Sequence, residues 1–160
     1  MKGARSARGR VRPPEERVRD LIGGGRESAE GSAGPEWLQG LAGDDHLIGS
    51  GGADILTGGS GADLFAFNRG DSGAATAKMD WITDFSQSEG DRLDLSDFAS
   101  LIVGPLRFLG PGAFDGTRSV RFIYAGGDTI VQVDLDGDRA PDMAIRLSGR
   151  VALRATNLVL

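Results

Sequence analysis

Between Gly40 and Ala66 the chain repeats itself every nine residues, and this period limits the architectures open to it more than any other feature. Three consecutive units, 40–48, 49–57 and 58–66, place glycine first (Gly40, Gly49, Gly58) and fourth (Gly43, Gly52, Gly61). Aspartate stands sixth (Asp45, Asp54, Asp63), and a large apolar residue stands eighth (Leu47, Leu56, Phe65). A degenerate unit precedes them, with Gly31 and Gly34 in the glycine places, Glu36 in place of aspartate and Leu38 in the apolar place. One unit further back only Gly25 and Glu27 keep the pattern. Ile22 replaces the first glycine and Ala29 is small, so that unit is not counted.

Glycine supplies backbone angles that other residues resist, so the first six residues of each unit read as a turn. The last three read as a very short strand whose middle residue points inward. Such a strand is unstable alone. Stacked, the units form parallel sheets around a column of inward Leu and Phe, as repeat proteins do. Stacking also brings the turn carboxylates into register, which is unfavourable unless a cation lies between them. Carboxylates and turn carbonyls offer oxygen alone, on a flexible glycine-rich backbone, and that donor set favours Ca²⁺. The candidate ligands are the acids Glu36, Asp45, Asp54 and Asp63, with the turn positions Gly40, Ala42, Gly43, Gly49, Gly51, Gly52, Gly58, Ser60 and Gly61. Asp80 and Asp84 are added as terminal partners for an unfinished stack; Asp91 and Asp94 are weaker candidates for the same place.

The remainder is β-rich with little helix. Phe65 and Phe67 fall on one face at the end of the repeats. A strand is predicted from Trp81 or Ile82 to Phe85, a turn at Gly90-Asp91, a short strand over 92–95, and a brief helix capped by Ser96 and running to Ile102. "SVRFIYA" alternates Val120, Phe122 and Tyr124 on one face, and "DTIVQVD" and "DMAIRLS" follow as strands. "DLDGDRAPD" spaces Asp134, Asp136, Asp138 and Asp142 like a calcium loop, yet Arg139 stands where such loops want glycine and no Glu closes the site. A calcium loop and an acidic hairpin turn both fit it.

Charge and composition narrow the function. Residues 1–30 hold eight Lys/Arg against five Asp/Glu, and the rest hold ten against eighteen. An acidic body with a basic tail argues against nucleic-acid binding by the body. No apolar run could span a membrane, and the first twenty residues lack the apolar segment of a signal peptide. Cysteine is absent, and with it disulfides and thiolate chemistry. The single histidine, His46, occupies a variable place in a repeat and reads as a solvent-facing strand residue. One histidine cannot make an H-E-x-x-H zinc site, so the chain is expected not to be an enzyme. Pro13-Pro14, followed by Glu15, Glu16, Val18, Leu21, Ile22 and three glycines, reads as a short helix in a tail over 1–30.

The units resemble the G-G-x-G-x-D-x-U-x nonapeptide of RTX (hemolysin-type) calcium-binding proteins. Further on, "DWITDFSQSEGDRLDLSDF" at 80–98 and "VRFIYAGGDTIVQVDLDGDRAPDMAIRLSG" at 120–149 look like the C-terminal domain of serralysin-type (peptidase M10) secreted metalloproteases, without their protease domain. The resemblance implies an all-β fold: a parallel β-roll over 31–66, then a β-sandwich-like cap with an export-signal region over 67–160. It implies calcium between a turn and the next-but-one, pairing Asp45 with Asp63 and Asp54 with Glu36. It further implies a non-catalytic module, secreted from a Gram-negative bacterium by type I secretion machinery, that folds on meeting extracellular calcium. Asn157 stands where such export signals commonly carry an acid. The alternative is a remnant or partner chain of a secreted metalloprotease or other RTX enzyme, with a catalytic or adhesive partner domain elsewhere.

Overall fold

The computed structural model describes residues 17–20, 25–68, 71–74, 78–99 and 104–160. Among them, short strands form two facing sheets. Strand β1 spans Arg17–Asp20, β2 Ser28–Glu30, β3 Glu36–Gln39, β4 His46–Ile48, β5 Ile55–Thr57 and β6 Leu64–Ala66. In β4, β5 and β6 the middle residue is buried and its neighbours are half-buried, as the eighth-place apolar residue demands. Successive strands alternate between sheets, so the parallel pairs are β3 with β5 and β4 with β6, bringing Leu38 opposite Leu56 and Leu47 opposite Phe65.

The coil extends further toward the N-terminus than the glycine pattern does. β2 pairs with β4 and sets Ala29 opposite Leu47. The unit left out of the sequence count is therefore a working coil with a small core residue. The short helix expected before it does not form over Arg17–Asp20: these residues pair in parallel with β3, Val18 opposite Trp37. A helix this short is marginal in water, whereas the open edge of β3 offers a ready row of backbone donors and acceptors. Residues 13–16 and 21–24 of that expectation lie outside the described residues.

The parallel ladders also continue past the nine-residue frame. β7 (Asp80–Ile82) pairs with β5, and β8 (Arg92–Asp94) pairs with β6. β7 stops at Ile82 rather than running to Phe85; Phe85 instead turns into the core and meets Phe65 at a ring-centroid distance of 6.2 Å. Helix α1 (Ser96–Ala99) follows, residues 100–102 of the expected helix lying outside the described residues, and its first N–H donates to the Asp94 carboxylate at 2.9 Å. Asp94 thus supplies one oxygen to the start of the helix.

The cap joins the roll's own sheets. β10 (Ser119–Ala125), β11 (Asp128–Asp134) and β12 (Met143–Leu147) form an antiparallel meander, with β9 (Arg107–Phe108) on its outer edge. β12 then runs parallel to β7, giving the order β1-β3-β5-β7-β12-β11-β10-β9. The C-terminal β13 (Leu158–Val159) adds to β8 and completes the second sheet, β13-β8-β6-β4-β2. Ahead of β13, residues Ala155–Asn157 make a 3-10 turn, and Asn157 is buried, accepting from Gln87 at 2.7 Å and from the Arg154 N–H at 3.0 Å.

One continuous core lies between the sheets. Leu38, Leu56, Ile82 and Leu147 line one wall, and Ala29, Leu47, Phe65, Leu93 and Leu158 line the other. Val120 and Phe122 are buried as their alternation predicts, but Tyr124 is 41 % exposed, because it lies at the hairpin tip beyond the core, where Phe122 and Arg150 hold its ring. Leu56→Ala should cost about 3 kcal/mol of stability by opening a cavity between the sheets. Urea titration in saturating calcium measures this, and Ile55→Ala, on the outer side of the same strand, should cost far less.

Candidate metal centre

The acids of the repeats form two columns, one on each edge of the roll. On one edge the Glu27 N–H donates to Asp45 Oδ1 at 2.9 Å, the Asp45 N–H to Asp63 Oδ1 at 2.9 Å, and the Asp63 N–H to Asp91 Oδ1 at 3.0 Å. On the other the Glu36 N–H donates to Asp54 Oδ1 at 2.8 Å, and the Asp54 N–H to Asp80 Oδ1 at 2.8 Å. Each sixth-place carboxylate therefore commits one oxygen to the backbone of the coil before it. The second oxygen of Asp45, Asp54, Asp63 and Asp80 is buried and has no hydrogen-bond partner. A buried charge without a partner is strongly unfavourable, so these four oxygens are where a cation would act.

The turns around them are built for close approach of backbone. A methyl group on Gly52 would meet the Gly34 carbonyl oxygen at 2.9 Å, and methyls on Gly43 and Gly61 would run into the carbonyls of Gly25 and Gly43. Fourth-place glycines thus stack with carbonyl on glycine, all at positive φ for Gly43, Gly52 and Gly61. First-place Gly40 and Gly49 leave room for the free oxygens of Asp45 and Asp54, which a methyl there would meet at 2.6 and 2.7 Å; Gly58 does the same for Asp63. Ala42 and Ser60 bridge in parallel, with Ser60 accepting from Gly43 at 2.8 Å and donating to Leu41 at 3.0 Å. Gly51 packs over Ala33. Every candidate donor in these turns is oxygen, a set that fits calcium.

Burial dominates the electrostatics. It pushes Asp54 up to about 7, Asp63 to about 6 and Asp80 to about 8, against an ordinary value of 3.8. Backbone N–H donors pull the other way, and neighbouring carboxylates add to the rise: Glu36 and Asp71 on Asp54, Asp54 and Asp71 on Asp80, and Asp91 and Asp45 on Asp63. Asp71 and Asp91 are raised for the same first reason.

The structure brings Asp45 next to Asp63 and Asp54 next to the Glu36 backbone. The Glu36 carboxylate itself, however, folds back onto its own turn, taking the Ser32 N–H at 2.5 Å and the Ser32 hydroxyl at 2.9 Å. Asp80 and Asp84 separate: Asp80 ends the Asp54 column, while Asp84 accepts from Gly58 at 3.0 Å and Gly59 at 2.8 Å on the opposite edge. Asp134, Asp136 and Asp138 converge, but both Asp134 oxygens are occupied, by the N–H groups of Gly137 and Arg139, and Asp142 takes the Leu135 N–H. His46 is half-buried rather than solvent-facing, and its Nε2 is enclosed without a partner. The period ranked Asp91 only as a weaker terminal candidate, set the Glu27 unit aside, and missed Asp71. Glu27 and Asp91 carry the signal of an acid two residues before an inward apolar residue, Ala29 and Leu93, as in Asp63–Phe65.

Comparison with known proteins agrees with the repeat. Residues 30–65 match the family model of the RTX calcium-binding nonapeptide repeat, in four copies, so this segment is a calcium-binding repeat. No curated protein sequence matches the chain. Similar solved structures include the AlgE6R3 and AlgE6R2 subunits of the Azotobacter vinelandii mannuronan C5-epimerase, both at 25 % identity. The first covers 92 % of this chain and 86 % of its own with a TM-score of 0.37, the second 91 % and 92 % with 0.39. The extracellular lipase LipA of Serratia marcescens is similar at 20 % identity over 89 % of this chain and 20 % of its own, TM-score 0.43.

A carboxyl raised in the folded state holds a proton that the unfolded chain has released, so metal-free stability is greatest near pH 4 and falls as pH rises toward 8. Thermal unfolding in EGTA between pH 4 and 8 should show that decline, and saturating calcium should flatten it. Asp54→Asn keeps an oxygen for the Glu36 N–H and removes the charge. It should raise stability in EGTA and lower calcium affinity, a pair of opposite signs that differential scanning calorimetry can read.

Proposed function

We propose that the chain is a non-catalytic calcium-binding module that is exported unfolded by type I secretion from a Gram-negative bacterium and folds outside the cell when calcium enters its acid columns. The observation that carries this reading is the set of four buried carboxylate oxygens without partners, ranked along both edges of the roll. In calcium-poor cytosol those acids repel and the coils stay apart. Millimolar external calcium binds the folded state and draws the chain into it. The sites are formed by Asp45 with Asp63 and Asp91 on one edge, and by Asp54 with Asp80 on the other. Asp71, which raises the carboxyls of both Asp54 and Asp80, lies close enough in the field to belong to the second group.

The serralysin-like assignment of the cap draws on the "DWITDF" and "DRLDLSDF" segments. They supply β7, β8 and α1, and thereby carry the roll into the meander. Residues 31–160 then act as one calcium-dependent unit. No helix among the described residues is long and apolar enough to cross a membrane.

Far-UV circular dichroism decides the central claim. In EGTA the spectrum should be largely disordered at pH 7.5, and millimolar Ca²⁺, but not Mg²⁺, should restore strand signal. A spectrum indifferent to chelation would overturn the reading.

A further inference from the structure

The two acid columns end differently, and one end is electrostatically incomplete. On the edge that carries Asp45 and Asp63 the last acid is Asp91. Both of its oxygens are engaged, by the Asp63 N–H at 3.0 Å and the Ser86 N–H at 2.7 Å. Glu36 opens the other column with both oxygens on Ser32. Asp80 closes that column fully buried, with Oδ1 on the Asp54 N–H at 2.8 Å and Oδ2 without a partner. No acid follows it in register: on the far side of β7 lies β12, with Ile145 opposite Asp80.

The chain brings an acid to this end by another route. Asp71 lies in the stretch leading into β7, in a cleft of about 610 Å³ that it shares with Gly51, Gly52 and Ala53 of the turn before Asp54. Its neighbour Ser72 is buried and fixes the place. The Ser72 hydroxyl donates to the Ala144 carbonyl at 2.6 Å and accepts the Asp80 N–H at 3.1 Å. Elsewhere in the columns the corresponding N–H goes to the carboxylate of the next coil; at Asp80 the serine stands in for it. Asp71 is also held from its other side, where it accepts the Asn68 N–H at 2.6 Å. Its charge is felt by both Asp54 and Asp80. Lys78 lines the same cleft but makes no ion pair with Asp71 among the described residues. A carboxylate held beside a buried, unpartnered carboxylate oxygen is unfavourable without a cation, and an oxygen-only donor set suits calcium.

We propose, resting on the calcium reading of the acid columns, that Asp71 and Asp80 close this column with a terminal calcium site that the nine-residue frame does not supply.

Calcium uptake on folding tests this. Circular dichroism at graded free calcium gives the number of ions taken up, from the slope of the folding equilibrium, even for a variant that needs more calcium to fold. Equilibrium dialysis counts the ions held once the chain is folded. Asp71→Asn keeps an oxygen for the Asn68 N–H and should take up one ion fewer than the unmodified chain by both measures. Asp142→Asn removes a charge from the same cleft, keeps an oxygen for the Leu135 N–H, and should leave the count unchanged. An unchanged count in Asp71→Asn, or an equal loss in both variants, would overturn the proposal. Should the unmodified chain fold and bind no calcium, the reading of the columns falls and the terminal site with it. An unchanged count in Asp71→Asn, in a chain that does fold on calcium, removes the terminal site alone.

Discussion

The structure turns on a division of labour within each aspartate. One carboxylate oxygen ties its coil to the backbone of the preceding coil, at 2.8 to 3.0 Å in both columns. That tie fixes the carboxylate where water does not reach, and leaves the other oxygen without a partner in Asp45, Asp54, Asp63 and Asp80. The hydrogen bond that builds the stack is therefore also what creates its electrostatic deficit. Apolar columns alone cannot offset that deficit comfortably, since each coil contributes only one inward side chain per strand. Calcium resolves the deficit because it supplies the missing charge and accepts the oxygen-only donors the turns present.

The same logic explains which parts of the chain could be read without coordinates. Gly, Asp and the eighth-place apolar residue each answer to a separate physical demand: positive φ, ion neutralisation and core filling. Together they made the coil over 40–66 legible down to the inward residue. The frame then breaks, since seventeen positions separate Asp63 from Asp80 and eleven separate Asp80 from Asp91. What persists is the smaller unit of an acid followed two residues later by an inward apolar residue, in Asp80–Ile82 and Asp91–Leu93 as in Glu27–Ala29. Nine-residue spacing is a property of short turns; the acid-x-apolar triplet is what the two sheets require. Reading by period stopped the roll at 66, ranked Asp91 only as a weaker terminal candidate, and left out the Glu27 coil because Ile22 replaces its first glycine and Ala29 is small.

Other differences have equally local causes. Asp84 was grouped with Asp80 as a terminal partner for the stack, but the two lie at opposite ends of β7, so one faces each edge of the roll. The Glu36 carboxylate, one methylene longer than aspartate, reaches its own Ser32 and closes the first turn on itself. Arg17–Asp20 carried helix-like punctuation, yet an unfilled parallel edge captured it as β1. None of these outcomes depends on composition. Each is set by which backbone groups lie within reach after the sheets have formed.

The dependence on ions is not spread evenly along the molecule. In the meander, acids are matched: Asp128 is held by Arg146 and Gly149, and Asp134 by two backbone N–H groups. Its strands are five to seven residues long and joined by antiparallel hairpins, with Val120, Val131, Val133, Ile145 and Leu147 fully buried. Local pairing of this kind closes small loops, and its strand acids Asp128 and Asp134 are matched within the meander. The roll, with three-residue strands and unmatched acids, has neither advantage. β12 supplies one edge of β7, so the last coil gains a longer neighbour whose acids are matched. Stability is thus graded from the matched, hairpin-linked end toward β1 and β2, where each added coil needs both the coil below and the ions between.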